Sequence, residues 1–271
     1  DWKKKNPEET VSGEYKMGWH NLDPRTFPSK GLFYPENMKI QIRPATVKEI
    51  RQFSVVQDDD PFSIDEAMNH IMSSCSNVNI KGKISNFKDI LEEDRIHLVL
   101  AIKDLTFVKG ENALQIPLEC HECDTAQEIE FCNDSLKPGT VDDKIMRYFD
   151  MDEKLFNIRT KSSGEFTIKP PCIGVMKVIT QWIKEQSQTP GQRRKLDQGF
   201  IKCLPFLVHD WRGFNIEKIK ELQMEFAGWD ATKYSTIFQL VDLIKIGVDE
   251  KVHGMCKSCG AEIHVPISFP R

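Results

Sequence analysis

An α+β fold, mostly helical, follows from three observations. Apolar residues recur at helical spacing through most of the chain. Two short stretches with period-two alternation each carry a Cys-x-x-Cys pair, Cys120 and Cys123 in one, Cys256 and Cys259 in the other. A further helical segment stands between the two pairs. The predicted architecture is a helical N-terminal part, half of a four-cysteine ribbon, a helical insertion, and the other half of the ribbon closing the chain.

The first elements lie in FPSKGLFYPENMKIQIRPATVKEIRQFS, Phe27 to Ser54. Pro28 and Gly31 mark a turn, and Tyr34-Pro35 ends an extended piece. Met38, Ile40 and Ile42 alternate as a strand that Pro44 stops. Thr46 caps a helix, with Glu49 completing a capping box and Val47 and Ile50 expected to face inward. Asp58, Asp59 and Asp60 read as a solvated loop, since the wider EF-hand spacing is absent. A helix over about 64–75 shows a core stripe of Met68, Ile71 and Met72. Residues 77–83 read as a loop, and Phe87, Ile90 and Leu91 as a short helical turn. EEDRIHLVLAIKDLTF is strongly helical, with Leu98, Val99, Ile102 and Leu105 on one face.

The cysteine stretches follow. Leu114, Ile116 and Leu118 alternate before the first pair; Ile263, Val265, Ile267 and Phe269 alternate after the second. Two thiolates three positions apart share one ion only if the backbone turns sharply between them. Gly260, just after the second pair, adopts the left-handed conformation freely, and Asp124 stands at the matching place. Aligning Cys120 with Cys256 puts Ile116 on Val252, Ile129 on Val265 and Phe131 on Ile267. The reading is two similar hairpins facing one tetrahedral, structural zinc ion held by Cys120, Cys123, Cys256 and Cys259. A compact ribbon has roughly 15–20 residues between its pairs; this one would be split by the long insertion. A redox pair in the thioredoxin manner would open a helix, and no helical pattern follows either pair. His121 and His264 read as bystanders to a complete thiolate shell. Cys75 and Cys203 fall in helical patterns and read as buried apolar residues. Cys132 is a weaker fifth neighbour of the site.

Beyond Pro138-Gly139 comes an acidic stretch, then a hairpin in 155–171, with Phe156 and Ile158 facing Phe166 and Ile168 and read as attached to the ribbon. From Ile173 the chain is helical again. Val175, Ile179 and Trp182 share a face. A helix near 196–208 should kink or stop at Pro205. Another spans about 216–226, and Asp230 caps the last, which Gly247 ends. This divides the chain into an N-terminal strand-turn and helical part (1–110), the first knuckle with its hairpin (111–172), an inserted helical lobe (173–249) and the second knuckle (250–271). In the lobe, Trp182 and Phe238 read as core. Trp211 and Trp229, beside Gly213 and Gly228 near helix ends, are expected to be exposed and to anchor a protein partner.

Composition narrows the function. A net charge of −4 gives no case for broad nucleic-acid binding. No run reaches the length of a membrane span, and the polar opening DWKKKNPEET lacks a signal peptide's apolar core. Pairing four of the eight cysteines into knuckles points to a reducing compartment. There is no Gly-x-Ser-x-Gly, His-Glu-x-x-His or Walker loop, and a four-thiolate zinc has no open position for water.

Three stretches carry a family likeness: FPSKGLFYPENMKIQIRPATVKEIRQF, DRIHLVLAIKDLTF, and the knuckles LECHECDTAQEIEF and MCKSCGAEIHV. Together they resemble the baseplate hub and hub-assembly proteins of T-even-type tailed bacteriophages. The resemblance implies a late viral protein that builds the central hub of a contractile tail's baseplate, in the host cytoplasm during assembly and in the virion tail baseplate. It would act without catalysis or a small-molecule substrate, as a hub subunit or as an assembly factor or chaperone, binding other hub or tail proteins. The alternative is a zinc-ribbon nucleic-acid binder or phage transcription protein, for which Arg193, Arg194 and Lys195 speak. Net charge and the lack of an aromatic-basic stripe speak against it.

Overall fold

The computed structural model describes residues 18–53, 61–107, 114–131, 139, 141–160, 164–188, 197–244, 246–247 and 251–266. The acidic triplet 58–60, the basic run 193–195 and Cys132 lie outside them. The architecture is α+β.

The N-terminal half is built on a three-stranded antiparallel sheet, β1 (His20–Leu22), β2 (Met38–Ile42) and β3 (Ser76–Ile80), in the order β1-β2-β3. Met38, Ile40 and Ile42 point inward as their alternation requires. The stretch expected as a loop after residue 76 is instead β3, with Met38 opposite Ile80 and Ile42 opposite Ser76. Its two inward residues, Val78 and Ile80, are too few to stand out as a pattern; pairing with β2 makes the strand. Helices α1 (Val47–Phe53), α2 (Pro61–Cys75) and α3 (Arg95–Thr106) pack around this sheet. Glu49 caps α1, accepting from the Thr46 amide at 2.6 Å and the Thr46 hydroxyl at 2.8 Å. It also pairs with Arg43 at 2.6 Å. That arrangement turns Glu49 inward and leaves Val47 exposed, the reverse of its expected orientation.

One buried acid ties the two N-terminal motifs together. Asp94, at the start of α3, is fully buried. It accepts from the Ser29 amide at 2.9 Å, the Ser29 hydroxyl at 2.5 Å and the Tyr34 hydroxyl at 2.6 Å. The Tyr34 oxygen in turn accepts from the Leu91 amide at 3.0 Å. The Pro-Ser-Lys-Gly turn, with Lys30 and Gly31 both at positive φ, therefore aims Ser29 at the helix start. Beside it, Arg95 is buried against Asp65 at 2.5 Å and Glu92 at 3.0 Å.

After the hairpin β4 (Leu114–Glu119) and β5 (Ala126–Phe131) come the short helix α4 (Asp143–Met146) and a sheet of β6 (Phe149–Asp150), β7 (Leu155–Thr160) and β8 (Gly164–Ile168). The expected β7–β8 hairpin is present, but it is not attached to the cysteines. Phe156, Ile158 and Ile168 belong to the large core that also holds Phe27, Ile40 and Leu98. Large apolar side chains carry the hairpin into that core.

The insertion comprises α5 (Ile173–Gln188), α6 (Gln198–Leu207), α7 (Ile216–Ala227) and α8 (Ala231–Leu243). Val175, Ile179 and Trp182 of α5 meet Phe200 and Leu204 of α6 and Ile219 of α7 in a second core. Asp197 caps α6 through the amides of Gly199 and Phe200, and Asp230 caps α8 through those of Thr232 and Lys233. Pro205 falls in the last turn of α6, which ends at Leu207. Cys203, Ile237 and Val241 face the large core, so α6 and α8 join the insertion to the N-terminal half. Hairpin β9 (Lys251–Met255) and β10 (Glu262–Pro266) follows.

Candidate metal centre

Each cysteine pair sits in the turn of a two-stranded antiparallel hairpin, and the two turns share one geometry. In the first, the Cys120 amide donates to Thr125 O and the Asp124 amide to Cys120 O; in the second, the Cys256 amide donates to Ala261 O and the Gly260 amide to Cys256 O. The registers correspond, Glu119 opposite Ala126 and Met255 opposite Glu262, Ile116 opposite Ile129 and Val252 opposite Val265. Asp124 (φ 52°) and Gly260 (φ 73°) take the left-handed conformation at the position where their residue types anticipate it.

The hairpins meet sulfur to sulfur. Cys120 Sγ lies 3.7 Å from Cys259 Sγ, and Cys123 Sγ lies 3.6 Å from Cys256 Sγ. All four sulfurs lie within 4.8 Å of one another. A tetrahedral ion with metal–sulfur bonds of about 2.3 Å has sulfur–sulfur edges of about 3.8 Å, so the donor set fits one ion of this kind. Cys120 and Cys256 are buried and Cys259 is exposed. Leu118, Ala261 and Ile263 form the small apolar floor beneath them.

Two features bring the hairpins together. Leaving the first hairpin, the chain runs beside the end of α8: the Gly139 amide donates to Gly247 O at 2.6 Å, the Asp142 amide to Leu243 O at 3.2 Å, and Val141 bridges Ile244. Gln127 then clamps one hairpin to the other, its Nε2 donating to Met255 O at 3.3 Å while its Oε1 accepts from the Lys257 amide at 2.9 Å. The sequence reading missed Gln127. Its one signal is that it aligns with Ile263, so a polar residue stands where the sister hairpin has a buried apolar one.

The electrostatics suit a cation. The hydroxyl and amide of Thr125 lower Cys123 to about 6. The amides of Cys259 and Ser258 lower Cys256. Cys259 is pushed up to about 12: the Ala261 amide favours its thiolate, but the sulfurs of Cys123, Cys256 and Cys120 oppose it. Clustered sulfurs cannot all ionise unaided, and a positive ion among them removes the conflict. His121 is exposed at the turn, and the side chain of His264 lies outside the described residues.

The two tryptophans of the insertion are half-buried, not exposed as expected. Trp211 lies over Gly174, where no side chain would fit beneath the indole, and its Nε1 donates to Asp89 at 3.0 Å. Trp229 packs at a tilt against Phe226, ring centroids 4.9 Å apart, with Lys233 over its ring at 4.4 Å. Proximity to helix ends predicts exposure only when nothing packs over the turn, and here α5 and α7 do.

No curated protein and no solved structure matches the chain. A family model described as T4 bacteriophage base plate protein matches residues 25–138. That span contains the Ser29–Tyr34–Asp94 node and the first cysteine pair, and ends before the insertion and the second pair. Over residues 25–138 this chain is thus similar to the T4-like baseplate proteins, a span that includes its opening motif, the α3 motif and the first knuckle.

Proposed function

We propose that this protein works in the baseplate hub of a T4-like tail, as a hub subunit or as an assembly factor, by binding other tail proteins without catalysis. The match over residues 25–138 carries the reading. A baseplate component resides in the virion tail, and assembly places it first in the host cytoplasm. Among the described residues no helix is long and apolar enough to cross a membrane.

The four cysteines would hold one structural zinc ion, completing a split ribbon. Bound there, zinc supplies rigidity and no reaction, because four thiolates leave it no open position. Cys120 and Cys123 would anchor it to the family-matched half, Cys256 and Cys259 to the end of the chain. Closing so long a loop restricts the unfolded chain, and a lobe held at one angle loses less entropy on docking. Trp211 and Trp229 remain the proposed partner-facing aromatics of the lobe, through the parts of their rings left accessible.

Metal-replete protein should contain close to one zinc per chain by elemental analysis. The protein should also capture a baseplate hub protein from infected cells, and Trp229→Ala should weaken that capture. Capture of no tail protein, or covalent change in the captured partner, would overturn the reading.

A further inference from the structure

We propose that the cavity between β3, β8 and the loop after α6 binds an acidic peptide segment of a partner protein. This rests on the reading above and names the chemistry of the partner it requires. The cavity measures about 420 Å³, within the range of about 300–1,000 Å³ usual for ligand clefts. Its wall combines apolar side chains such as Met38 and Trp211 with Lys81, Lys83, Lys169 and Arg212.

The charges on this wall are unequally matched. Arg212 pairs with both Asp89 at 2.7 Å and Asp210 at 2.8 Å, so one cation is shared by two acids. Glu153 is the other carboxylate on the wall among the described residues. With three lysines and Arg212, the wall carries four cations against three carboxylates, Asp89, Glu153 and Asp210, an excess of one positive charge. Lys169 has its backbone fixed by donation to Phe206 O at 2.9 Å, and among the described residues no carboxylate lies within ion-pair distance of it. Burial lowers its pKa, more than the nearby Asp210 and Asp89 raise it. Lys81 and Lys83 flank the same opening on an exposed turn. Next to them Ile84 is 85% exposed while its carbonyl is tied down by Arg212.

A carboxylate entering beside Lys169 would be partly desolvated between lysines, where its attraction is screened least. An apolar residue next to it would cover Ile84 or enter the Met38–Trp211 wall. The cavity is open to both halves of the protein, so a bound segment would touch the family-matched half and the insertion together.

The test uses full-length, metal-replete protein and a dye-labelled peptide of alternating glutamate and leucine, followed by fluorescence anisotropy. Wild type should bind it, and raised salt should weaken binding. Lys83→Glu, on an exposed turn where folding is not at stake, and Lys169→Met should each weaken it about tenfold or more. Lys257→Glu, on the second cysteine hairpin, should leave it unchanged. A serine–leucine peptide should not bind. Equal binding by wild type and Lys169→Met, or no binding by wild type, would overturn the proposal. Inorganic phosphate that binds as tightly as the peptide would overturn it in favour of a free oxyanion site. Capture of the tail partner separates the two readings: if Lys169→Met and Lys83→Glu retain it fully, the cavity is wrong and the assembly role stands. If wild type captures nothing, the assembly role itself falls.

Discussion

The Asp94 node and the four-cysteine cluster do the same job by opposite means. Each joins segments distant in sequence: Asp94 reaches Ser29 across 65 positions, and Cys120 reaches Cys259 across 139. Asp94 is surrounded by donors from the protein itself, within a core that includes Phe27, Phe33, Leu91 and Leu98. Among the described residues the cysteines have Leu118, Ala261 and Ile263 beneath them, and their sulfurs oppose one another's ionisation. A polar group inside a large core is completed by its neighbours; on the proposed reading, a small cluster at the end of two hairpins would be completed by an ion from outside. The N-terminal half should therefore hold without metal, and the closure of the chain should not.

The largest effect should come from removing the metal. Structural zinc contributes on the order of 10 kcal/mol in small zinc-binding peptides. A strong chelator, or Cys256→Ser, should abolish hydrogen-exchange protection in β9 and β10 while β2 and α3 keep theirs. Loss of protection throughout the chain would break the comparison. So would a hairpin pair that stays protected with no metal bound. Cys75→Ser, at a buried residue far from the cluster in sequence, should leave metal content unchanged.

Asp94→Ala should come next, at about 3 kcal/mol, because it leaves the Ser29 and Tyr34 donors buried without an acceptor. Thermal denaturation of the N-terminal half would read the loss, and zinc content should stay the same. Metal lost along with stability would mean that the two regions are not independent.

Gln127→Ala removes the hydrogen bonds between the hairpins at a cost of about 1 kcal/mol. With metal bound, the melting temperature should hardly move. The rate of zinc loss to a competing chelator should rise, since the hairpins separate more readily once one ligand has left. An unchanged rate would show that the ion alone holds them.

The smallest effect separates the regions by pH. Arg43 first, then the Thr46 amide and hydroxyl, hold Glu49 down to about 2 against a burial effect that raises it, from an ordinary value of 4.5. A depressed carboxylate stabilises the fold above its unfolded pKa and loses that contribution as pH falls through its folded one. Between about pH 4.5 and pH 2, Glu49→Gln should remove about 1 kcal/mol of the acid-induced loss of stability. An unaltered acid profile would sink this assignment.

Much of the cysteine site was legible because its rules are local. Cys-x-x-Cys, flanking alternation and a residue tolerant of positive φ describe a hairpin turn that needs few distant contacts. Helices α5, α7 and α8 were legible for the same reason, since a repeating apolar face lies within one segment, with an Asn or Asp cap at the start of α7 and α8. Two-residue β6 and three-residue β1 were not, because strands so short are made by the partner they pair with, and β3 was not, because Val78 and Ile80 alone carry its alternation.

The sequence by itself determined which residues could ligate a metal, where the chain turns, and which faces of its helices are apolar, because each depends on chemistry within a few positions. Tertiary structure decided the rest. It chose that Cys123 meets Cys256 and Cys120 meets Cys259, that Gln127 bridges the hairpins, and that Asp94 and not a solvent-facing acid receives Ser29 and Tyr34. It also covered the tryptophans expected at the surface and left one cavity wall with more cations than carboxylates. Burial and charge balance are properties of what packs against a residue, and no local pattern contains the neighbour that arrives from a hundred positions away.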